Sequence, residues 1–172
     1  MIGEILFLRG PLADEIGLSE ALKSWSGQEL THKDFSCSDK WYEVKTISRG
    51  NTTVRISSLE QLDSDKNGEL IVYSLEKMSP AYNGISLNKL ILETRQMFLS
   101  ADDADSFLAK VAMQGYEYNN YYDEFVFEVS GLTRYKVTDQ FPKLTHANVP
   151  KEITKANYDL ALAEIMSFST KE

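Results

Sequence analysis

The fold is decided by the stretch Asp34-Phe35-Ser36-Cys37-Ser38-Asp39-Lys40-Trp41-Tyr42-Glu43-Val44-Lys45-Thr46. Residues 41–46 are aromatic and β-branched enough to predict a β-strand. Residues 34–37 can form its antiparallel partner, with Ser38-Asp39 or Ser38-Asp39-Lys40 as the turn. The sequence therefore predicts a β-hairpin here.

The hairpin register decides which polar side chains meet. Side chains alternate between the faces of a strand, so Trp41, Glu43 and Lys45 share one face. If the loop is the two-residue Ser38-Asp39, Asp34 lies directly across from Glu43. Two carboxylates and a lysine would then meet on one surface.

Such a pair of carboxylates is best tolerated with a cation between its members, because like charges repel. Mg²⁺ accepts one or two carboxylates together with water and phosphate oxygens. Lys45 could orient or deprotonate an attacking water and offset charge on a phosphate. The pattern therefore indicates a metal site that acts on a phosphodiester.

The alternative is an ordinary ion pair between Glu43 and Lys45 on a solvated strand. A chain of this composition should contain roughly one acid-x-Lys triplet by chance. Residues 43–45 are, however, the only Asp/Glu-x-Lys triplet in the chain, and they lie in the predicted strand.

A family resemblance covers most of the chain. The run from Asp34-Phe35 through residues 43–46 to residues 53–62 resembles the PD-(D/E)XK superfamily of restriction-endonuclease-like phosphodiesterases. More narrowly, the chain is similar to a bacterial PD-(D/E)XK family found among phage-defence genes. Further similar segments are residues 3–8, 141–145, 149–150 and 157–160.

The resemblance implies a role for each matching residue. Asp34 and Glu43 would be the metal-binding acids, Lys45 the catalytic lysine, and Gln61 a polar residue on the helix after the third strand. The Val44 carbonyl and Glu4, an acid on the first helix, would complete a site for Mg²⁺ or Mn²⁺, so that the metal-binding residues would be Asp34, Glu43, Val44 and Glu4.

Two departures from the family pattern stand out. Lys33 stands where the superfamily motif has a proline before its first acid, although that proline is commonly missing. The chain also begins inside the expected first helix, so we expect a family N-terminal region to be missing.

Composition predicts one domain over residues 1–172. The length allows a real core, and 42% hydrophobic with 26% charged residues is typical of a soluble globular protein. The start Met1-Ile2-Gly3-Glu4 is not a signal peptide, and no apolar run could span a membrane, so we expect a cytoplasmic protein. A single cysteine, Cys37, excludes an intrachain disulfide and a cysteine-based zinc site.

Net charge argues against a nucleic-acid partner, because −8 should repel DNA. Residues 23–55 nevertheless carry six basic and four acidic residues, a net +2, which leaves −10 for the remainder. Ordinary fluctuation along a chain explains this asymmetry equally well. His32 could contact phosphate, although a plain surface histidine is the commoner case.

Periodicity predicts the first half of the fold. Early helices are interrupted by Pro11 and closed by Gly27, and a third strand over residues 51–56 follows a turn at Gly50. Ser57-x-x-Glu60 predicts a capping box that opens a short helix and leaves Gln61 free to face the site. The apolar run Leu70–Leu75 predicts an interior strand.

The second half adds helices and strands. We expect a helix capped by Ser86 and another beginning at Asp102 or Asp103, followed by a hairpin of residues 125–129 and 133–137 across Ser130-Gly131-Leu132. Residues 158–162 predict a last strand. The fold class is α/β: a restriction-endonuclease-like mixed β-sheet flanked by helices, with a C-terminal β-hairpin extension.

The resulting hypothesis is a Mg²⁺-dependent DNA endonuclease, or a subunit of one, acting in bacterial defence with other defence-system proteins. The main alternative is a nuclease-fold interaction module without turnover, which the acidity and the short N-terminus favour. A third class is an enzyme acting on a small phosphoester. The oligomeric state, a homodimer included, is left open.

Overall fold

The computed structural model describes residues 1–26 and 33–170. The strands are β1 Phe35–Ser36, β2 Lys40–Ser48, β3 Thr53–Ile56, β4 Asn67–Met78, β5 Val126–Val137 and β6 Tyr158–Ala161. The centre of the fold is a mixed sheet with the order β1-β2-β4-β5, and β3 pairs with β6 in a second, two-stranded sheet. The β2–β4 pair is parallel, and the other pairs are antiparallel.

Helices lie before and between the strands. The α-helices are α1 Ile2–Phe7, α2 Ala13–Ile16, α3 Leu18–Ser24, α4 Leu87–Met97 and α5 Ala101–Met113. A π-helical segment, Leu8–Leu12, joins α1 to α2 and bends at Gly10, next to Pro11. Short 3-10 turns cover Glu60–Leu62, Asn120–Glu124 and Met166–Phe168.

The hairpin register is the one that a two-residue loop requires. Phe35 pairs with Tyr42 and Ser36 with Trp41, and the amide of Cys37 donates to the carbonyl of Lys40 at 2.8 Å. This register is therefore confirmed, although β1 is shorter than predicted and Asp34 lies just before it.

Each face of the central sheet covers its own apolar core. Alternate residues of β2 and β4, such as Tyr42 and Ile71, pack against the helices, in one cluster with Phe7 and Phe107. The opposite residues, such as Trp41, pack against the β3–β6 sheet. Alternation along β2 thus places Trp41 on one face and Tyr42 on the other, as predicted.

The fold class is confirmed: the structure is α/β, with helices against a mixed sheet and additional C-terminal strands β5 and β6. Leu70 to Leu75 are interior because β4 lies between β2 and β5. No helix within residues 1–26 and 33–170 is long and apolar enough to cross a membrane.

Some local predictions were wrong. The turn predicted at Ser130-Gly131-Leu132 does not exist, because residues 126–137 form one strand along β4, with a register shift between Ser74 and Leu75. A long interior strand supplies enough hydrogen-bonding groups to keep the chain extended past Gly131. The last strand, β6, forms where predicted.

Two helix starts also differ. The turn Glu60–Leu62 follows Leu59, and Ser57 caps nothing with its side chain, so the capping box is wrong. Helix α5 begins after Ser100, whose hydroxyl accepts from the Asp103 amide, so aspartate is not its cap. Ser86 caps α4 as predicted. Gly27 and His32 lie outside the described residues.

Gly68 gives a test of how β2 packs on β4. A Cβ at Gly68 would lie 1.9 Å from the Trp41 ring, which is buried, whereas a Cβ at Gly131 would meet nothing closer than 3.8 Å. Gly68→Ala should lower the free energy of unfolding by about 1–3 kcal/mol. Gly131→Ala should change it by less than about 0.5 kcal/mol. Urea unfolding of both variants measures the contrast, and equal effects would contradict this packing.

Candidate functional site

Asp34 is held against the middle of β2. Its Oδ2 accepts a hydrogen bond from the Val44 amide at 2.7 Å. The side chain thereby extends the hydrogen bonding of the hairpin one step beyond β1. Burial and the negative charge of Glu4 raise the pKa of Asp34 to about 6, against the opposing effect of the Val44 hydrogen bond.

Glu43 is the most deeply buried acid of the site, with 2% of its surface exposed. Its Oε1 lies 2.9 Å from the Lys45 Nζ, and its buried Oε2 has no hydrogen-bond partner among the described residues. Burial and the charge of Asp34 raise the pKa of Glu43 to about 8, although Lys45 opposes the shift. A buried oxygen without a partner indicates a place for a cation or a water.

Lys45 links the hairpin to the turn after β3. Its Nζ donates to Gln61 Oε1 at 3.0 Å, besides its contact with Glu43. The same Gln61 oxygen accepts from the Ser57 amide at 2.7 Å. Gln61 therefore faces the site as predicted, and it orients the lysine.

Glu4 reaches the site from the helical layer. Its Oε1 lies 2.6 Å from the Met1 amino group, and its Oε2 accepts from Trp25 Nε1 at 3.0 Å and from Gln114 Nε2 at 3.1 Å. Burial raises the pKa of Glu4, but the amino group and these hydrogen bonds lower it to below its usual value. Glu4 is thus a charged neighbour of Asp34, with both oxygens already engaged.

The structure thus connects Asp34, Glu43, Lys45 and Gln61 through direct contacts or mutual electrostatic effects, and Glu4 through its charge. Val44 contributes its amide to Asp34, and the metal-binding role of its carbonyl stays a prediction. The catalytic and metal-binding roles of the other residues are likewise predictions.

The donor set fits a metal that needs few protein ligands. Within residues 1–26 and 33–170, no three His, Cys, Asp or Glu side chains are grouped to hold a metal ion. Mg²⁺ accepts one or two carboxylates and takes water or phosphate oxygens for the rest, so Asp34 and Glu43 suffice in number. A cation beside Glu43 would also give its Oε2 a partner and relieve the repulsion between the acids.

Lys33 is a site residue that the sequence did not reveal. Its Nζ donates to the carbonyls of Glu60, Gln61 and Asp63 at 2.5–2.8 Å and lies 4.2 Å from the Trp41 ring centroid. Burial lowers the pKa of Lys33 to about 8. The lysine therefore fixes the turn that presents Gln61 to Lys45. No local pattern marks it, because its partners are 27–30 positions away.

A known protein family matches almost the whole chain. The family described as "Putative PD-(D/E)XK family member" (DUF4420) matches residues 1–163. The chain belongs to this family. No curated protein and no solved structure matches the chain. The match to this PD-(D/E)XK family spans α1 to β6 and includes every residue of the candidate site.

The metal-free protein should become less stable between about pH 4 and pH 8. The pKa values of Asp34 and Glu43 are raised to about 6 and about 8 in the folded chain, from 3.8 and 4.5. Both groups hold protons more tightly when folded, so this stabilisation is complete at low pH and is lost as pH rises through the folded pKa values. Urea unfolding with a chelator, from pH 5 to 8, measures the effect. Glu43→Gln should flatten the profile, and an unchanged slope would contradict the burial of this acid.

Lys33→Met should loosen the Gln61 turn. Methionine keeps the apolar stem but leaves three carbonyls without their donor, so we expect the free energy of unfolding to fall by about 1–3 kcal/mol. Lys66→Met is the matched control, because exposed Lys66 donates to the single carbonyl of Ser38, and its loss should cost less than about 0.5 kcal/mol. Equal unfolding midpoints for the two variants would contradict the role of Lys33.

Proposed function

We propose that this protein is a divalent-metal-dependent DNA endonuclease, or the nuclease subunit of a larger assembly. The observation that carries the proposal is the pairing of half-buried Asp34 with buried Glu43, one of whose oxygens has no partner among the described residues, and with Lys45 beside it. Membership of a PD-(D/E)XK family supports the same conclusion. The metal would be Mg²⁺, with Mn²⁺ as a substitute.

Asp34 and Glu43 would hold the metal, together with the Val44 carbonyl. When bound, a divalent cation lowers the pKa of a water and polarises a phosphoryl oxygen. The chain would supply two negative charges, one on the half-buried Asp34 and one on the buried Glu43, and electrostatic interactions are stronger at partly buried positions than in solution. Glu4 would complete the site mainly through its charge, because Met1, Trp25 and Gln114 already use three of its roughly four acceptor positions.

Lys45 would position the attacking water. Its ammonium group has three donors, and the structure engages it with Glu43 and Gln61. One donor is therefore left for a water or for a phosphate oxygen. The positive charge would also stabilise the additional negative charge that the phosphate carries in the transition state.

The proposed setting is bacterial defence against foreign DNA, in the cytoplasm and together with other defence proteins or as a homodimer. This setting rests on the resemblance described above. Hydrolysis of DNA is favoured over a small phosphoester because Lys45 borders an open groove, described below, rather than a closed pocket.

A nuclease-fold interaction module without turnover is the second candidate. The observation that favours it is the net charge of −8, since DNA is normally held by lysine and arginine. In this case the buried acids would contribute to a structural network only, and binding partners would be proteins.

Isosteric variants separate these two functions. Asp34→Asn and Glu43→Gln should each weaken Mn²⁺ binding and reduce Mg²⁺-dependent DNA cleavage at least about 100-fold. Lys45→Met should reduce cleavage by a similar factor and leave Mn²⁺ bound, because the lysine acts on the chemistry alone. Mn²⁺ binding is read by electron paramagnetic resonance and cleavage on supercoiled plasmid.

Asp39→Asn serves as the control, because Asp39 is an exposed acid in the hairpin turn, and its cleavage should equal that of the unaltered chain. Cleavage that survives all three site variants would come from a contaminating nuclease. A protein that folds normally but cleaves no DNA, with or without a divalent metal, would instead favour the interaction module.

A further inference from the structure

A groove of about 460 Å³ leads away from the candidate site. It begins at Lys45, continues along the end of β2 to Ser48, and is closed on its other side by the outer face of β3. Ser48, Thr53 and Arg55 are all exposed along it, so the groove is open to solvent. A polymer could therefore lie in it and extend past both ends.

The lining is rich in hydrogen-bond donors. The side chains of Ser48, Asn51, Thr53 and Ser57 form no hydrogen bond with another residue in the described ranges 1–26 and 33–170, so their donors remain available to a ligand. Hydroxyl and amide groups are common donors to phosphate oxygens. The groove thus offers a polar surface beside Lys45 that intramolecular contacts do not use.

Arg55 supplies the charge on this surface. Its Nη2 donates to the Asn157 Oδ1 at 2.5 Å, and no acid of residues 1–26 and 33–170 forms an ion pair with it. Asp159 is its cross-strand neighbour in β6 and is an acid that lines the groove. A guanidinium that is held by a neutral amide keeps its charge for an anion.

The spacing along β3 connects Arg55 to the candidate site. Ser57 lies next to Lys45, because its amide and the lysine share the Gln61 oxygen. Arg55 lies two residues before Ser57, which follows the last residue of β3, and both line the groove, with a backbone spacing of about 6.6 Å at 3.3 Å per residue. This distance is close to the separation of neighbouring phosphates along a nucleic-acid strand.

We infer that the groove binds the phosphodiester next to the one that is cut, with Arg55 as the cation that contacts that phosphate and Ser57 and Thr53 as hydroxyl donors. The inference rests on the proposed function, because Lys45 marks the reacting end of the groove. It explains how a chain of net charge −8 can hold DNA: the contact is local and uses Arg55, with which no acid in residues 1–26 and 33–170 forms an ion pair. The negative charge of Asp159 repels the phosphate and so limits the affinity of the groove for DNA.

Paired charge variants test the groove in the full chain. A fluorescein-labelled DNA duplex is bound in Ca²⁺, which replaces Mg²⁺, and the dissociation constant is measured by anisotropy at several salt concentrations. Arg55→Gln should weaken binding about tenfold. It should also reduce the salt slope, the change of log K with log salt, by about 0.9, the value for one phosphate contact. Asp159→Asn should strengthen binding.

The controls carry the same charge changes on the helical side of the sheet. Arg95→Gln in α4 and Asp102→Asn in α5 replace exposed residues there, and we expect them to leave the affinity within about twofold. Arg55→Lys should recover part of the binding, because it restores the charge but not the fork of donors.

The possible results separate the groove from the proposed function. Suppose that the unaltered chain binds the duplex and cleaves DNA with metal, but that Arg55→Gln and Arg95→Gln bind the duplex equally well. This result would overturn the groove and leave the proposed function standing. No binding of the duplex by the unaltered chain in Ca²⁺, together with no cleavage in Mg²⁺, would overturn both. Weaker binding with Arg55→Gln and stronger binding with Asp159→Asn would support the groove.

Discussion

The site depends on the hydrogen bond from the Val44 amide to the Asp34 carboxylate. It attaches an acid from the edge of the sheet to the backbone of β2 between Glu43 and Lys45. Asp34 thereby lies close enough to Glu43 for its charge to help raise the pKa of Glu43. A cation bound between them would remove the cost of this repulsion, so binding of the proposed metal would be energetically linked to folding of the hairpin.

The site also links the two layers that cover the sheet. Glu4 and Trp25 reach it from the helical side, whereas Lys33, Trp41 and the turn Glu60–Leu62 belong to the side of the β3–β6 sheet. Its geometry therefore depends on both cores. Precise placement of Lys45 by Gln61 requires that the turn be fixed, and Lys33 fixes it with three hydrogen bonds.

Local sequence was sufficient for the features that depend on alternation and turn length. The two-residue loop at Ser38-Asp39, one of the two loops that the sequence allowed, predicted the register of Asp34 and Glu43 that the structure has, and the apolar run Leu70–Leu75 indicated an interior strand. These predictions succeeded because side-chain alternation and loop length are properties of a few consecutive residues. The motif residues Asp34, Glu43 and Lys45 could be chosen for the same reason, whereas Gln61 was indicated by the family resemblance.

The tertiary structure alone decided the features whose partners are far apart in the chain. Residues 126–137 form one strand because β4 offers a continuous partner, which overrides the turn that Gly131 suggested. Lys33 was inconspicuous because its acceptors are backbone carbonyls of a distant turn, and carbonyls carry no sequence signal. Likewise, Arg55 faces the groove and Glu4 turns toward Trp25 only because separate elements pack together. The local sequence determined which polar side chains the hairpin carries, whereas the packing of distant elements determined which residues surround those side chains.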